Sequence, residues 1–253
     1  MSAIKISYII ITWNGLDYLR RLLSSMSNQL AREDVEVIIT DNGSTDGTIE
    51  FLQHDYPAIR LICLQQNMGV AYARNLTMRQ AHGKYLFILD NDIQITDESV
   101  VAMEQYMDSH PQVGICGSKL LYPDGTTQHS CKTYPGISEK LRSFCRTKSS
   151  VFPYEKQING TEPFEPVYII GACQMIRREV YEAIGDLDDT IFYGPEDCDY
   201  CLRTRKAGWR VIYLPNVAMY HHCQRRTHTK PFSKLGWLHI KALMYFYWKY
   251  KKI

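Results

Sequence analysis

Four polar clusters in this chain have residue types and spacing that could do chemistry. Asp90-Asn91-Asp92 places two carboxylates one residue apart, directly after the apolar run 85–89. Carboxylates at the end of a buried strand are suited to holding a divalent cation against a diphosphate. The same residues also make an ordinary acidic turn. Thr12 with Asn14, and Asp41 with Ser44 and Asp46, follow two other apolar runs in the same way. The fourth cluster is Glu196-Asp197 after Gly194-Pro195. A proline at the start of a helix puts both acids in the first turn, where the helix dipole favours ionised carboxylates. Helix initiation alone would account for them. Further on, His221 and His222 offer imidazoles to a metal or serve as surface and capping residues.

The elements that must position these clusters are legible from periodicity. Runs at 4–12, 35–40, 59–64 and 85–89 are rich in β-branched and aromatic residues and read as strands. Between them, Leu16, Leu19, Leu22, Leu23 and Met26 recur at helical spacing, a short helix carries Ile49, Phe51 and Leu52, and 70–80 reads as a helix. Such alternation is the mark of a parallel sheet covered by helices. In that arrangement the three loops after the first, second and fourth strands share one rim. Any one of them could be simple turn or cap chemistry, but together they describe a crevice for a nucleotide and a cation-bridged diphosphate. Neither Gly-x-Gly-x-x-Gly nor a Gly-Lys-Ser/Thr loop is present, which disfavours nicotinamide dinucleotides and phosphate-loop chemistry. Beyond residue 92, a helix begins at Asp97, a strand occupies 113–121, and 131–166 loses regular periodicity, as an acceptor-shaping loop would. Strand character returns at 167–176 around Gly171-Ala172, followed by helices at 178–184 and 195–207 and a last strand at 209–214.

With 253 residues and 45% hydrophobic content, the chain suits one large α/β domain. The reading divides it into a domain at 1–230, with a nucleotide-binding half (1–92) and an acceptor-binding half (93–230), and a C-terminal helix at 231–253. The N-terminal residues do not read as a signal peptide, and no apolar run approaches membrane-spanning length. Eight cysteines at irregular spacing point to reduced thiols in the cytosol. Cys198 and Cys201, with His221, His222 and Cys223 downstream, imitate a zinc site, but no second C-x-x-C accompanies them. All 27 acidic residues lie at or before Asp199, whereas the 54 residues after it hold 12 of the 29 Lys and Arg. That asymmetry implies an anionic partner for the tail.

In order along the chain, Tyr8 to Asn14, Asp41-Asn42-Gly43-Ser44-Thr45-Asp46-Gly47, Asn67-Met68-Gly69 through Arg74-Asn75, Asp90-Asn91-Asp92, Gly194-Pro195-Glu196-Asp197-Cys198-Asp199 and His221 resemble the motifs of glycosyltransferase family 2. The match covers nearly the whole chain. It implies the GT-A fold, a Rossmann-like and mostly parallel sheet flanked by helices. It also implies a sugar-nucleotide donor (a dTDP- or UDP-sugar), Mg²⁺ or Mn²⁺, and inversion at the anomeric carbon. Carried over residue by residue, it implies donor binding by Thr12, Asn14, Asp41, Ser44, Asn67, Gly69, Arg74, Asp90 and Asn91. Asp41 would accept the imide N–H of uracil or thymine. Asp92 would ligate the metal, with His221 as a second ligand and His222 not excluded. Asp197 would be the base that takes the acceptor's proton. Glu196, Gly171 and Ala172 would face the acceptor, and Asp199 and Arg203, one turn apart, would pair.

The basic end adds Arg225 and Arg226 as diphosphate contacts on the acceptor side. Beyond them, aromatics interleaved with lysines over 232–253 suit a helix in the headgroup region of an anionic membrane, or one packed on the body with its lysines in solvent. Nucleic acid is disfavoured because no recognition motif accompanies the charge. The run Tyr220 to Arg226 with this helix resembles bacterial rhamnosyltransferases of the family. That resemblance implies dTDP-rhamnose, a saccharide or polyprenyl-diphosphate-linked saccharide acceptor, O-antigen or other surface polysaccharide synthesis, and a peripheral place on the cytoplasmic face of the inner membrane. Two other classes compete: a nucleotidyltransferase making a sugar nucleotide, and a non-catalytic nucleotide-sugar or lipid-binding module.

Overall fold

The first apolar run forms β1 (Ile6–Thr12), and its neighbours arrange themselves around it. The computed structural model describes residues 3–134, 154–223 and 234–250. After β1 come α1 (Leu16–Ser25), α2 (Ser27–Leu30), β2 (Val35–Asp41), α3 (Thr48–Asp55), β3 (Arg60–Cys63), α4 (Val70–Arg79) and β4 (Tyr85–Asp90). The chain continues through β5 (Ile93–Gln94), α5 (Asp97–Ser109), β6 (Val113–Leu121), β7 (Thr127–Gln128) and β8 (Cys131–Lys132). The remaining elements are α6 (Glu155–Ile158), β9 (Tyr168–Ile169), β10 (Cys173–Arg177), α7 (Arg178–Ile184), α8 (Glu196–Lys206), β11 (Arg210–His221) and α9 (Lys234–Lys249).

The main sheet runs β3-β2-β1-β4-β10-β6-β11-β5, with β7 paired to β6. Its first four strands are parallel, as expected, and their register matters for function. Thr12 lies opposite Asp41 on one side of β1, and Ile11 lies opposite Asp90 on the other. Three chemically rich loops therefore leave the sheet at one level.

In the second half the topology departs from the simple alternation. The apolar stretch at 167–176, interrupted at Gly171-Ala172 as the sequence indicates, is two strands that belong to different sheets. β9 pairs with β8 in a separate two-stranded sheet, while β10 inserts antiparallel between β4 and β6. Gly171-Ala172 is the break between them. The last strand is longer than the expected 209–214 and runs to His221. Pro215 has no N–H to give a ladder, and the register of β11 on β6 slips between Leu214 and Ala218 before pairing resumes. A proline that looks like a terminator is thus absorbed by an irregularity, and β11 carries His221 into register with Ile93 of β5, next to Asp92.

Alternation along β1 divides the core. Ile6, Tyr8 and Ile10 face Leu19, Leu22 and Leu23 of α1 and Val100, Met103 and Met107 of α5. Ile9 faces Ala71 and Met78 of α4 on the other side. These side chains are fully buried, and each Ile, Leu, Val and Met among them contributes roughly 1.5–3 kcal/mol relative to exposure. Val101, the next residue of α5 after the buried Val100, is exposed. A rigid two-sided core is what lets loops on the rim be held in one geometry.

Candidate active site

The rim beyond β1 and β2 is built by short polar loops that fasten to each other. Asp41 is fully buried at the end of β2. Its Oδ1 accepts the backbone N–H groups of Gly43 and Ser44 at 3.2 and 2.9 Å. Its Oδ2 is buried without any partner. An orphaned carboxylate oxygen is costly to bury, so this is a natural place for a ligand N–H. Ser44 Oγ accepts the backbone N–H of Asn14, and Asn14 Oδ1 accepts that of Thr45, each at 2.8 Å. Thr12 Oγ1 accepts from Asn91 Nδ2 at 2.9 Å, tying the first rim loop to the acidic one. Asp46 is a cap rather than part of the open rim, since its carboxylate accepts from Thr48 and from the backbone N–H of Leu16.

Asn67 Oδ1 accepts from Asn42 Nδ2 at 3.2 Å and from the Gly69 backbone N–H at 3.0 Å. Gly69 has φ +96°, and a Cβ there would lie 2.7 Å from the carbonyl oxygen of Phe192. Only glycine fits that position.

Asp90, Asp92 and His221 converge so that one ligand atom from each lies within 4.8 Å of the others. His221 Nε2 is 3.1 Å from Asp92 Oδ1. Its Nδ1 is 2.7 Å from Oε1 of Gln128, a buried contact. Burial opposes a charge on this imidazole, but the hydrogen bond and charge of Asp92 and the charge of Asp90 outweigh it and raise the pKa. Burial likewise raises the Asp90 carboxyl, with Arg74 opposing and Asp92 adding to the rise. Two carboxylates and an imidazole form a donor set that fits a divalent cation. Holding Nδ1–H on an amide oxygen leaves Nε2 as the metal-facing atom, the usual arrangement for a ligating histidine.

Of the two adjacent histidines, His221 alone presents a ring nitrogen to the two carboxylates. His222 Nε2 is 2.8 Å from Gln94 Oε1, its Nδ1 is 3.4 Å from an Arg21 nitrogen, and only its backbone N–H reaches Asp92, through the carbonyl. Gln128 had no signal in the sequence beyond its place after the Pro123-Asp124-Gly125 turn, where the chain folds back along β6.

Arg74 joins this cluster to the first turn of α8. Its guanidinium is 3% exposed and reaches Asp90 Oδ1 at 2.6 Å, Glu196 Oε1 at 3.2 Å and the Gly171 carbonyl oxygen at 2.8 Å. A side chain on Gly171 would come within 2.6 Å of Arg74 Nη1, so glycine permits the approach. The Gly171 N–H in turn donates to Asp197 Oδ2 at 3.1 Å. Ala172 is buried, and its carbonyl accepts the Asp90 N–H at 3.0 Å. Asp197 is half-buried in the first turn of α8. Glu196 beside it is buried with Oε2 unpartnered. Burial, reinforced by the Asp197 charge and only partly offset by Arg74, pushes the Glu196 carboxyl up to about 7.

Asp199 is fully buried and accepts from Arg203 Nε at 2.8 Å, as expected, and additionally from Lys249 and Tyr250 at 2.6 and 2.7 Å. Cys198 and Cys201 are buried thiols, not joined in a disulfide, within the apolar cluster around Ile169, Tyr213 and Phe246. Burial raises the Cys201 thiol to about 12. Among the described residues, the Asp90-Asp92-His221 group alone could gather three metal-ligating side chains, so the zinc-like spacing reflects core packing. Arg225 and Arg226 lie outside the described residues, as do 135–153 of the irregular stretch.

Comparison with known proteins agrees with this arrangement. The pattern of glycosyl transferase family 2 matches residues 7–185. An N-acetylglucosaminyl-diphospho-decaprenol L-rhamnosyltransferase of Mycobacterium tuberculosis is 29% identical over 255 aligned residues, covering 94% of this chain and 82% of that protein. A dTDP-rhamnosyl transferase of Shigella flexneri is 27% identical, covering 79% of this chain and 64% of that protein. Among solved structures, a mannosyltransferase from Pyrobaculum calidifontis in complex with GDP-Man and Mn²⁺ superposes with a TM-score of 0.62 at 21% identity, covering 89% of this chain and 59% of that one. Staphylococcus aureus TarS, residues 1–349, gives 0.61 at 19% identity, covering 86% and 60%. The chain thus spans about 60% of the structural neighbours it matches. It belongs to glycosyl transferase family 2 and is a glycosyltransferase with the GT-A fold.

Proposed function

We propose that this enzyme transfers a sugar with inversion from a nucleoside-diphosphate donor, dTDP-rhamnose in the first instance and a UDP-sugar otherwise, to a hydroxyl of a saccharide carried on a polyprenyl diphosphate. One observation carries the reading: Arg74 and Gly171 connect Asp90 of the metal-binding group to Asp197 on the acceptor side. A transferase acting on a diphospho-sugar needs both ends of that line. The donor's leaving group must be held at one end, and a base must wait at the other. The choice of sugar and of a lipid-linked acceptor rests on the M. tuberculosis and S. flexneri relatives, whose names specify rhamnosyl transfer, in the first case to a decaprenol-linked acceptor.

Each residue has a task in this scheme. The orphaned Asp41 Oδ2 accepts the imide N–H of a thymine or uracil ring, which a cytosine lacks. Asn14, Ser44 and Thr45 keep the loops around the nucleoside in one conformation. Asp90, Asp92 and His221 would hold a divalent cation, Mn²⁺ or Mg²⁺, which supplies charge compensation for the departing diphosphate. The acceptor oxygen attacks the anomeric carbon from the face opposite the diphosphate. Its proton passes to Asp197, the new C–O bond forms, and the anomeric C–O bond to phosphate breaks with its electron pair leaving on the nucleoside diphosphate. The Gly171 and Cys198 N–H groups orient the Asp197 carboxylate, while Glu196 and Arg74 fix the turn behind it.

Two substitutions test this. Asp92→Ala should abolish cation-dependent nucleotide binding, measured by calorimetry with dTDP and UDP. Asp197→Asn should keep that binding and lose transfer by about 10²–10⁴-fold, the usual worth of a general base. Robust turnover by Asp197→Asn would remove it as the base.

A further inference from the structure

We propose that the outward face of α9 is a membrane-docking stripe that seats the acceptor side of the enzyme on an anionic bilayer. Eight large hydrophobic residues are exposed among the described residues, and four of them are on this one helix: Trp237, Ile240, Met244 and Trp248, at 60, 43, 68 and 63% exposure. Steps of three, four and four residues keep them on one side, within roughly 100° of arc. The other four, Trp13, Met68, Val101 and Tyr220, come from different elements.

The helix cannot hide this stripe by rolling, because its opposite face is fastened to the body. Ala242 and Phe246 are buried, the latter in the cluster with Cys198, Tyr200 and Tyr213. Tyr245 and Lys249 bond Asp188 at 2.9 and 2.7 Å. Lys249 also reaches the buried Asp199 at 2.6 Å.

Charge selects the occupant. Lys241 is exposed, and its position in the helix repeat puts it within the stripe. No Asp or Glu occurs anywhere after Asp199, and Lys251 and Lys252 follow the helix in sequence. If two copies of the stripe paired about a two-fold axis, the Lys241 side chains would be buried with no carboxylate on either helix to meet them. An anionic lipid surface instead takes tryptophans and aliphatics at the acyl boundary and lysines at the phosphates.

The docked face gives this surface a direction. His239 Nδ1 lies 3.0 and 3.2 Å from the carbonyl oxygens of Tyr193 and Gly194, the turn that leads into Glu196 and Asp197. The helix would therefore lie between the bilayer and the catalytic turn, one helix diameter of about 10 Å thick. Only the purpose of the docking, delivery of a lipid-linked acceptor, rests on the proposed function. The docking itself does not.

The full chain should float with vesicles of phosphatidylcholine containing 30% phosphatidylglycerol, at least tenfold more than with phosphatidylcholine alone. Replacing Trp237, Ile240, Met244 and Trp248 together by Ser should abolish flotation while leaving dTDP binding unchanged. If that variant is unstable, Trp248→Ser and Lys241→Glu singly should each reduce flotation several-fold. Transfer to a water-soluble acceptor should survive the stripe changes, and transfer to a vesicle-embedded acceptor should fall tenfold or more. Loss of flotation with no change in nucleotide binding separates this proposal from the donor reading, which fails only if dTDP and UDP do not bind. Equal flotation of wild type and variants, or none by wild type, overturns the proposal. A concentration-dependent dimer that the same substitutions dissolve would overturn it in favour of self-association.

Discussion

Replacing Glu196 by Gln should make the protein more stable at alkaline pH, and the size of the gain can be worked from its surroundings. Glu196 is 6% exposed, has one carboxyl oxygen with no partner, and sits beside the Asp197 charge. Burial first, then Asp197, moves it from an ordinary 4.5 to about 7, a position that already includes the attraction of Arg74. Because the folded form holds its proton more tightly, the native state binds more protons than the unfolded chain between those two values. Stability therefore falls as pH rises through that window, by about 3 kcal/mol once above it. Gln mimics the neutral acid and escapes the cost. Between pH 5 and 8.5 the advantage of Glu196→Gln over wild type should grow by roughly 2.5 kcal/mol, or about 5–10 °C in Tm for a chain of this length. Thermal unfolding of both proteins across that range, with chelator present, measures it. A Tm difference that stays constant with pH, or a variant that is the less stable one at pH 8.5, would refute the assignment of Glu196 as a carboxyl held near neutrality.

Two further outcomes follow from contacts outside the rim loops. Gln128→Leu should weaken Mn²⁺ binding by about 10–100-fold, read by spin-resonance titration, because His221 loses the acceptor that fixes its tautomer. Gln128→Glu, which keeps an acceptor oxygen, should restore most of it. Lys249→Met should cost about 3 kcal/mol and lower Tm by roughly 6–12 °C, since it removes a cation shared by Asp188 and the fully buried Asp199. Amide exchange over α9 should quicken in that variant, and unchanged protection there would show that Phe246 and its neighbours alone hold the helix.

What could be read from the sequence, and what could not, divides along the range of the interactions. The rim loops were legible because each follows its strand within a few residues, and parallel pairing then brings Thr12, Asp41 and Asp90 level. Asp197 was legible as a first-turn acid because Pro195 precedes it. The path of β11 was not, since Pro215 argues locally for an end while the β6 edge beyond it still has groups to pair. Gln128 was invisible because a glutamine in a short hairpin strand carries no mark of the histidine it meets 93 residues later. Arg74 was expected among donor-binding residues on its motif, but its bond to Glu196 crosses 122 positions of chain. That bond changes how the site must be understood. A single buried guanidinium bonds both Asp90 of the Asp90-Asp92-His221 group and Glu196 in the first turn of α8. Glu196, held near neutrality, can give way to a neutral amide, but removing the Asp90 carboxylate takes the closer ion pair, at 2.6 Å, from the buried cation in low dielectric, where that is costly. The two halves of the chain therefore share one electrostatic centre as well as one sheet, and disturbance of either side of the crevice should be felt at the other.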